Sequence, residues 1–435
     1  MNPRGPRISW LGPPSALGGW LGMAGLLLTS LLVSLSATRS ELLLPSSLRP
    51  LPASLAGPLE DLGFQLGLWA LIATFVLMFV SYAVTARAAH RLSAPVVLAG
   101  IVTLHALVLL APPLFSSDVF SYVAYERLGA VHDANPYLHG PSALPLDALQ
   151  PLIGAQWVHT PTVYGPLFTA LSYLLVPFDI AANALAYKAV AAASSLALIA
   201  VVWHAARLRG LDSVRSIALV GLNPVIVFFG VGGGHNDLMM LAILAAGMYV
   251  LLRQREHSSG ALIATAAAVK LTAGLVLPFA LAGRRGGEDC GAARRRLLIG
   301  CAAAGAAISV LAYVLFGTGP LRVVATLQEI QSQGGAQSIF GFAATQLGLG
   351  ALVGPAGTVL TAVFLATVGW LVWQVHRGRL DWITGAGWAT AALLLTTQFL
   401  VPWYVAWLLP LSALSRDRRL LMVALALTGI GLTTL

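Results

Sequence analysis

Apolar stretches follow one another along nearly the whole chain, and no other feature restricts its fold so much. About thirteen runs are visible, from Trp20–Leu35 and Phe64–Val84 to Trp403–Leu414 and Leu420–Leu435; some fall short of the roughly 20 residues that a spanning helix needs. Of 435 residues, 58% are hydrophobic and 9% charged, whereas a soluble domain carries about a quarter charged residues. An aqueous fold has no core large enough for that much apolar surface. A bilayer supplies no water to backbone N–H and C=O groups, so the runs must be helical. The expectation is an all-α integral membrane protein, a single polytopic domain over 1–435 with about 11–13 transmembrane helices.

The formal net charge of +9 would suggest nucleic acid in a soluble domain. Here the basic residues sit in short loops between apolar runs: Arg4 and Arg7, Arg87 and Arg91, Arg207, Arg209 and Arg215, Arg253 and Arg255, Arg284 to Arg296, Arg377 and Arg379, and Arg416, Arg418 and Arg419. That is the cytoplasmic pattern of a membrane protein, and the expected partner is the bilayer, with no nucleic acid. Trp20–Leu35 follows Arg4 and Arg7 without a small-residue cleavage site, which predicts an uncleaved first span. Cys290 and Cys301, in a basic loop and at a span edge, imply no disulfide framework.

Two places break simple alternation across the membrane. Arg255 and Arg284 flank a single apolar run, which reads as two short helices in a hairpin with Lys270 near its apex. The stretch from Tyr164 to Trp203 must cross an odd number of times, so Gly165–Phe178 is expected as a short outer helix. Irregular backbone at membrane depth needs protein or a cavity around it. Under this topology the outward segments are a first large loop over 114–162, the glycine-rich stretch Gly232–Asp237 and a second loop over 317–349. Asp118, Glu126, Asp133, Asp147, Asp237 and Glu329 fall on that side.

Chemistry concentrates in those segments. Asp118 follows Pro112-Pro113 and opens a stretch that reads as an amphipathic surface helix, with Tyr122 and Tyr125 at the interface. It is either a helix cap, with Ser116 or Ser117 as the alternative cap, or a general base at the membrane surface. Asn135-Pro136-Tyr137 and Thr160-Pro161-Thr162-Val163-Tyr164-Gly165-Pro166 are turn signatures, in which Asn135, Tyr137, His159 and Tyr164 also offer hydrogen bonds to a sugar. Gly232-Gly233-Gly234-His235-Asn236-Asp237 places helix-weakening glycines beside three polar groups at membrane depth, where ionisable residues are functional by default. Lys270 inside an apolar run suits a phosphate partner, or snorkels; Arg322 is a second phosphate candidate. Gln328 and Glu329, in company with Gln331 and Gln337, suit sugar hydroxyls because an amide both donates and accepts. Pro402-Trp403-Tyr404 with Trp407 offers either a stacking surface or an aromatic belt. Zinc-type Cys/His spacing, Walker and dinucleotide glycine motifs are absent from the sequence; no cofactor is expected, with metal dependence left open.

The order Asp118-Val119-Phe120-Ser121-Tyr122, Asn135-Pro136-Tyr137, Tyr164-Gly165-Pro166, Asn223-Pro224, Gly233-Gly234-His235-Asn236-Asp237 and Lys270-Leu271-Thr272-Ala273-Gly274 resembles the bacterial polyprenol-phosphate-mannose-dependent α-1,6-mannosyltransferases of the GT-C superfamily. The resemblance runs from about Phe115 to Pro278. It implies a GT-C-like helical bundle with surface helices in its outer loops, in the bacterial plasma membrane. It also implies a polyprenyl-phosphate sugar donor, a glycolipid or glycan acceptor in the cell envelope and an active site on the extracytoplasmic face. Asp118 matches the acidic residue of an early outer loop that such enzymes use as base, and His235, Asn236 and Asp237 would hold sugar hydroxyls. A secondary transporter or a lipid-carrier flippase is the competing reading. The transporter would usually carry inverted repeats, which this sequence lacks.

Overall fold

The computed structural model describes residues 15–145, 148–284, 290–333 and 337–433. Arg4, Arg7, Asp147 and Arg285 lie outside the described residues. Among the described residues every regular element is helical. Five helices are long and apolar enough to cross a membrane: Ala16–Ser36, Leu68–Arg91, Ile180–Leu208, Cys290–Phe316 and Gly350–His376. Shorter apolar helices complete the bundle, among them Ala94–Leu110, Asp237–Leu252 and Trp382–Thr396. The protein is thus an all-α polytopic membrane protein, as its hydropathy predicts. Cys290 opens a helix rather than lying in a loop, and both cysteines are free.

The irregular stretches of sequence become broken helices. Ser213–Gly221 and Val225–Val231 meet at 46°, because Asn223-Pro224 stands between them and proline has no N–H for the helical ladder. Asn223 locks the joint. Its amide donates to Tyr82 Oη at 3.0 Å and Thr428 Oγ1 at 3.1 Å, and its Oδ1 accepts from the Val225 N–H at 2.9 Å. Val225–Val231 is a π-helix, a form concentrated at functional sites, and it delivers the chain into the three glycines.

The apolar run containing Lys270 likewise splits, into Glu256–Val269, a 3₁₀ segment Leu271–Val276 and Leu277–Ala282. Lys270 takes the extended conformation at the break. The two arms lie against different partners: Glu256–Val269 packs on Asp237–Leu252 and Cys290–Phe316, and Leu277–Ala282 on Val353–His376 and Trp382–Thr396. Gly260 and Gly300 bring two of these helices into backbone contact, since a Cβ on either would strike a carbonyl of the other helix. Small residues at a crossing serve membrane helices in this way, because lipid offers no hydrophobic force to drive helices together. On the periphery, only 6% of an 18-residue apolar window in Gly350–His376 and 17% of one in Cys290–Phe316 is buried, which leaves their apolar faces for lipid.

Candidate active site

The Asp118–Ala130 helix carries the first candidate. It does not lie on a surface: residues 119–126 are all buried, so the interface role expected for Tyr122 and Tyr125 is corrected. Tyr122 packs edge-on against Tyr164, Phe168 and Tyr187. Nor does Asp118 cap the helix. Ser117 occupies the cap position without a capping bond, and Asp118 is the first helical residue. Its carboxylate is aimed outward and held: Ser116 Oγ donates to Oδ1 at 2.9 Å and accepts the Asp118 N–H at 3.1 Å, and Tyr164 Oη donates to Oδ2 at 3.1 Å. His235 Nδ1 stands 3.3 Å from Oδ2. Burial pushes the Asp118 carboxyl up, but His235, the Ser116 bond and Lys270 outweigh it and hold the group below the usual carboxylate value.

Local backbone geometry sets this aim. Phe115 sits at φ 61°, a conformation that costs a side-chain-bearing residue roughly 1–2 kcal/mol, and stacks on Phe229 at 4.5 Å. Leu114 N–H donates to the Gly232 carbonyl and Phe115 N–H to that of Leu43. The approach to Asp118 is therefore clamped to the glycine loop. Gly234, at φ 65°, is required there, because a Cβ would come 2.5 Å from Val119 Cγ1.

The glycine loop packs behind the Asp118 carboxylate. His235 is buried and stacks on Trp403, with ring centroids 4.0 Å apart. Asp237 is 1% exposed and receives Lys270 Nζ on both oxygens, at 2.8 and 2.9 Å, and Trp407 Nε1 at 2.6 Å. Lys270 Nζ also lies 4.9 Å from the Tyr404 ring centroid and 5.4 Å from that of Trp407, within cation–π range. The two carboxylates thus have separate partners: Asp118 stands beside His235, and Asp237 pairs with Lys270. Asn236 is buried, and neither of its side-chain amide atoms has a hydrogen-bond partner.

These groups surround a cavity of about 960 Å³, into which Asp118, Tyr125, Tyr164, Lys270, Trp403 and Trp407 project. Gln328, Gln331, Gln337 and Gln398 line its other side. Not every candidate reaches it: Tyr122, His235, Asn236 and Asp237 are buried behind the lining. Tyr137 is buried behind the wall, donating to the Tyr164 carbonyl and Thr169 Oγ1 at 3.0 Å each. Asn135 forms a turn with the Tyr137 N–H and donates to the Phe316 carbonyl at 2.7 Å. His159 is exposed against Ser142, and Glu329 and Arg322 are exposed away from the cavity lining.

Two buried polar groups near the site have no role in the sequence reading, which notes Glu126 only as an outward acidic residue and passes over Lys188. Glu126 is fully buried and accepts from Asn183 and Tyr187 at 2.7 Å each; burial, only partly offset by those bonds, raises its carboxyl to about 7. Lys188 is buried in Ile180–Leu208 and donates to the carbonyls of Ala111 and Pro112. A lysine inside an apolar run was the available signal. The aromatic segment 402–407 is a cavity wall, not a belt.

The family model described as alpha-(1->6)-mannopyranosyltransferase, N-terminal domain, matches residues 16–283, and that of the MptB C-terminal domain matches residues 333–434. A probable alpha-(1->6)-mannopyranosyltransferase of Mycolicibacterium smegmatis is 28% identical over 70% of this chain and 62% of its own length. Alpha-(1->6)-mannopyranosyltransferase A of Mycobacterium tuberculosis is 29% identical over 75% of this chain and 66% of its own. Alpha-(1->6)-mannopyranosyltransferase B of Corynebacterium glutamicum is 28% identical over 70% and 56%. The aligned region spans about six-tenths of the length of these curated relatives. No solved structure matches.

Proposed function

The chain belongs to the alpha-(1->6)-mannopyranosyltransferase family, and on that premise we propose that it is a membrane mannosyltransferase that uses a polyprenyl-phosphate sugar as donor. The acceptor is a glycolipid or glycan, the site opens on the extracytoplasmic face of the bacterial plasma membrane, and Asp118 is the general base. The observation that carries this reading is the convergence on one cavity of an ionised carboxylate, a lysine and aromatic walls inside a lipid-embedded bundle.

The mechanism follows from the geometry. A glycosidic bond forms when an acceptor hydroxyl attacks the anomeric carbon of the donor. Asp118 takes the hydroxyl proton as the new C–O bond forms, and the bond from the anomeric carbon to the phosphate oxygen breaks. Polyprenyl phosphate leaves with the electron pair, and direct displacement inverts a β-linked donor to an α-linked product. Tyr164, Ser116 and His235 fix the carboxylate in one orientation, which is what a positioned base requires. Lys270 has three N–H donors and lines the cavity, so it can face a phosphate while still paired with Asp237. Gln328, which lines the cavity, is the proposed partner of sugar hydroxyls, while His235 supports the base from behind.

The test is transfer from polyprenyl-phosphate [14C]mannose to a short mannoside by the purified protein, wild type against Asp118→Asn. Loss of the base is expected to lower the rate by about 10²–10⁴-fold. Transfer that survives in the variant removes Asp118 from this role. Absence of transfer from any polyprenyl-phosphate sugar, together with substrate flux in proteoliposomes, would replace the enzyme reading with a transporter.

A further inference from the structure

The cavity is larger than one sugar and a phosphate require. Its volume of about 960 Å³ lies near the top of the roughly 300–1,000 Å³ usual for pockets that enclose a small ligand. Its second half is built differently from the half around Asp118 and Lys270. Around Trp157 and Phe399 the described lining carries no charged side chain: Gln156, Gln331 and Gln398 offer amides and Thr160 and Thr397 hydroxyls, while aliphatic side chains such as Leu327, Ile330 and Leu393 line other parts of the cavity. Trp157 and Phe399 meet edge-to-face with centroids 5.8 Å apart, and both line the cavity. Gln331 Oε1 accepts from Thr397 Oγ1 at 3.0 Å and from the Gln398 N–H at 2.9 Å, which makes a fixed shelf of the segment just past the Trp382–Thr396 helix. The Gln398 amide rests against Gly357, where any Cβ would collide with it.

Such a wall suits a neutral polyhydroxylated ligand. Amides both donate and accept, as hydroxyls do, and a rigid aromatic face covers the C–H side of a pyranose ring at low entropic cost. A phosphate wants a cation instead, and a lipid tail matches the aliphatic part of the lining around Leu327, Ile330 and Leu393 rather than this amide and hydroxyl shelf. The shelf is also tied to the base. Trp157 belongs to the turn that begins at Gly154, whose N–H is bonded to Ser117 Oγ at 3.2 Å, one residue from Asp118.

We propose that Trp157, Phe399 and Gln398, with Gln331 as their support, form an acceptor subsite that holds the sugar ring behind the one being glycosylated. This rests on the mannosyltransferase reading and adds that the acceptor is an oligosaccharide gripped through at least two rings. The subsite makes acceptor length the specificity variable, and Gly357 is the residue that leaves room for the amide.

The experiment compares mono-, di- and trimannoside acceptors with wild type, Trp157→Ala, Gln398→Ala and Gly357→Ala, in transfer assays and in calorimetric binding without donor. Wild type is expected to gain roughly two- to tenfold in kcat/KM from one ring to two, the scale of one stacked ring. The variants are expected to lose that gain through acceptor KM, while the monomannoside rate and donor KM stay unchanged and thermal unfolding confirms intact protein. Gly357→Ala should act like Gln398→Ala although it removes no contact. Wild-type transfer indifferent to acceptor length, or variants that weaken monomannoside equally, would overturn the subsite and leave the enzyme reading standing. Binding of dimannoside that depends on Trp157 in a protein with no transfer would retain the subsite and sink the enzyme reading.

Discussion

Asp237 and Lys270 show how a charged site survives inside an apolar bundle. Burying either charge alone is costly, and breaking such a pair costs about 3–5 kcal/mol because it leaves an uncompensated charge. Lys270→Ala is therefore expected to lower the unfolding midpoint sharply, and Lys270→Met with Asp237→Asn to restore most of it. If phosphate binding is the role of Lys270, the double variant stays inactive although stable. Thermal unfolding in detergent beside a transfer assay separates the two effects; a double variant that regains activity would reduce the pair to a structural one. At this scale the charged candidates were legible as charges in apolar runs. Their pairing was not: Asp237 stands two residues from His235 in the chain, yet the carboxylate beside that ring belongs to Asp118, 117 residues earlier.

The Asp118–Ala130 helix is the element that carries the base, and Glu126 anchors its middle to Ile180–Leu208 through Asn183 and Tyr187. The folded state prefers this carboxyl neutral, its value rising from an ordinary 4.5 to about 7. The sign follows directly. A raised acid favours the fold most below pH 4.5, and the advantage is lost as the pH climbs through that interval to about 7. Stability should fall by about 3 kcal/mol over the same span from this group alone. Glu126→Gln, which can keep both contacts, should flatten the profile, as chemical denaturation at a series of pH values would record. An unchanged profile would mean that Glu126 is not the titrating group. Hydropathy places this helix at a surface because its polar residues look like a wet face. They instead meet partners from other helices, which a one-dimensional pattern does not contain.

Across the whole molecule, two segments far apart in sequence close the cavity together. Asn135 in the 114–162 loop donates to the Phe316 carbonyl, and Tyr137 packs with Phe316, Ala312 and Val323. Asn135→Ala removes two hydrogen bonds, the donation to Phe316 and the acceptance from the Tyr137 N–H, each about 1 kcal/mol, so global stability should fall only modestly. Limited proteolysis within 317–349 should accelerate, and acceptor KM should rise with the amide wall less firmly held. Unchanged proteolysis would show that the two segments are held together by other contacts.

Membrane residence, helical class and family were properties of the sequence itself. The first two follow from a bilayer that forbids unsatisfied backbone, and the third shows in an ordered series of short motifs. The breaks at Asn223-Pro224, Gly232–Gly234 and Lys270 were also visible, because glycine, proline and buried charge act locally. Only the tertiary structure decided which polar groups meet. It set Tyr164 and His235 on Asp118, Lys270 and Trp407 on Asp237, and Trp157 against Phe399, and it withdrew Tyr137 into the wall. The reason is physical: hydropathy places a residue at a depth in the membrane, but the rotation of each helix and the neighbour it faces come from packing between helices.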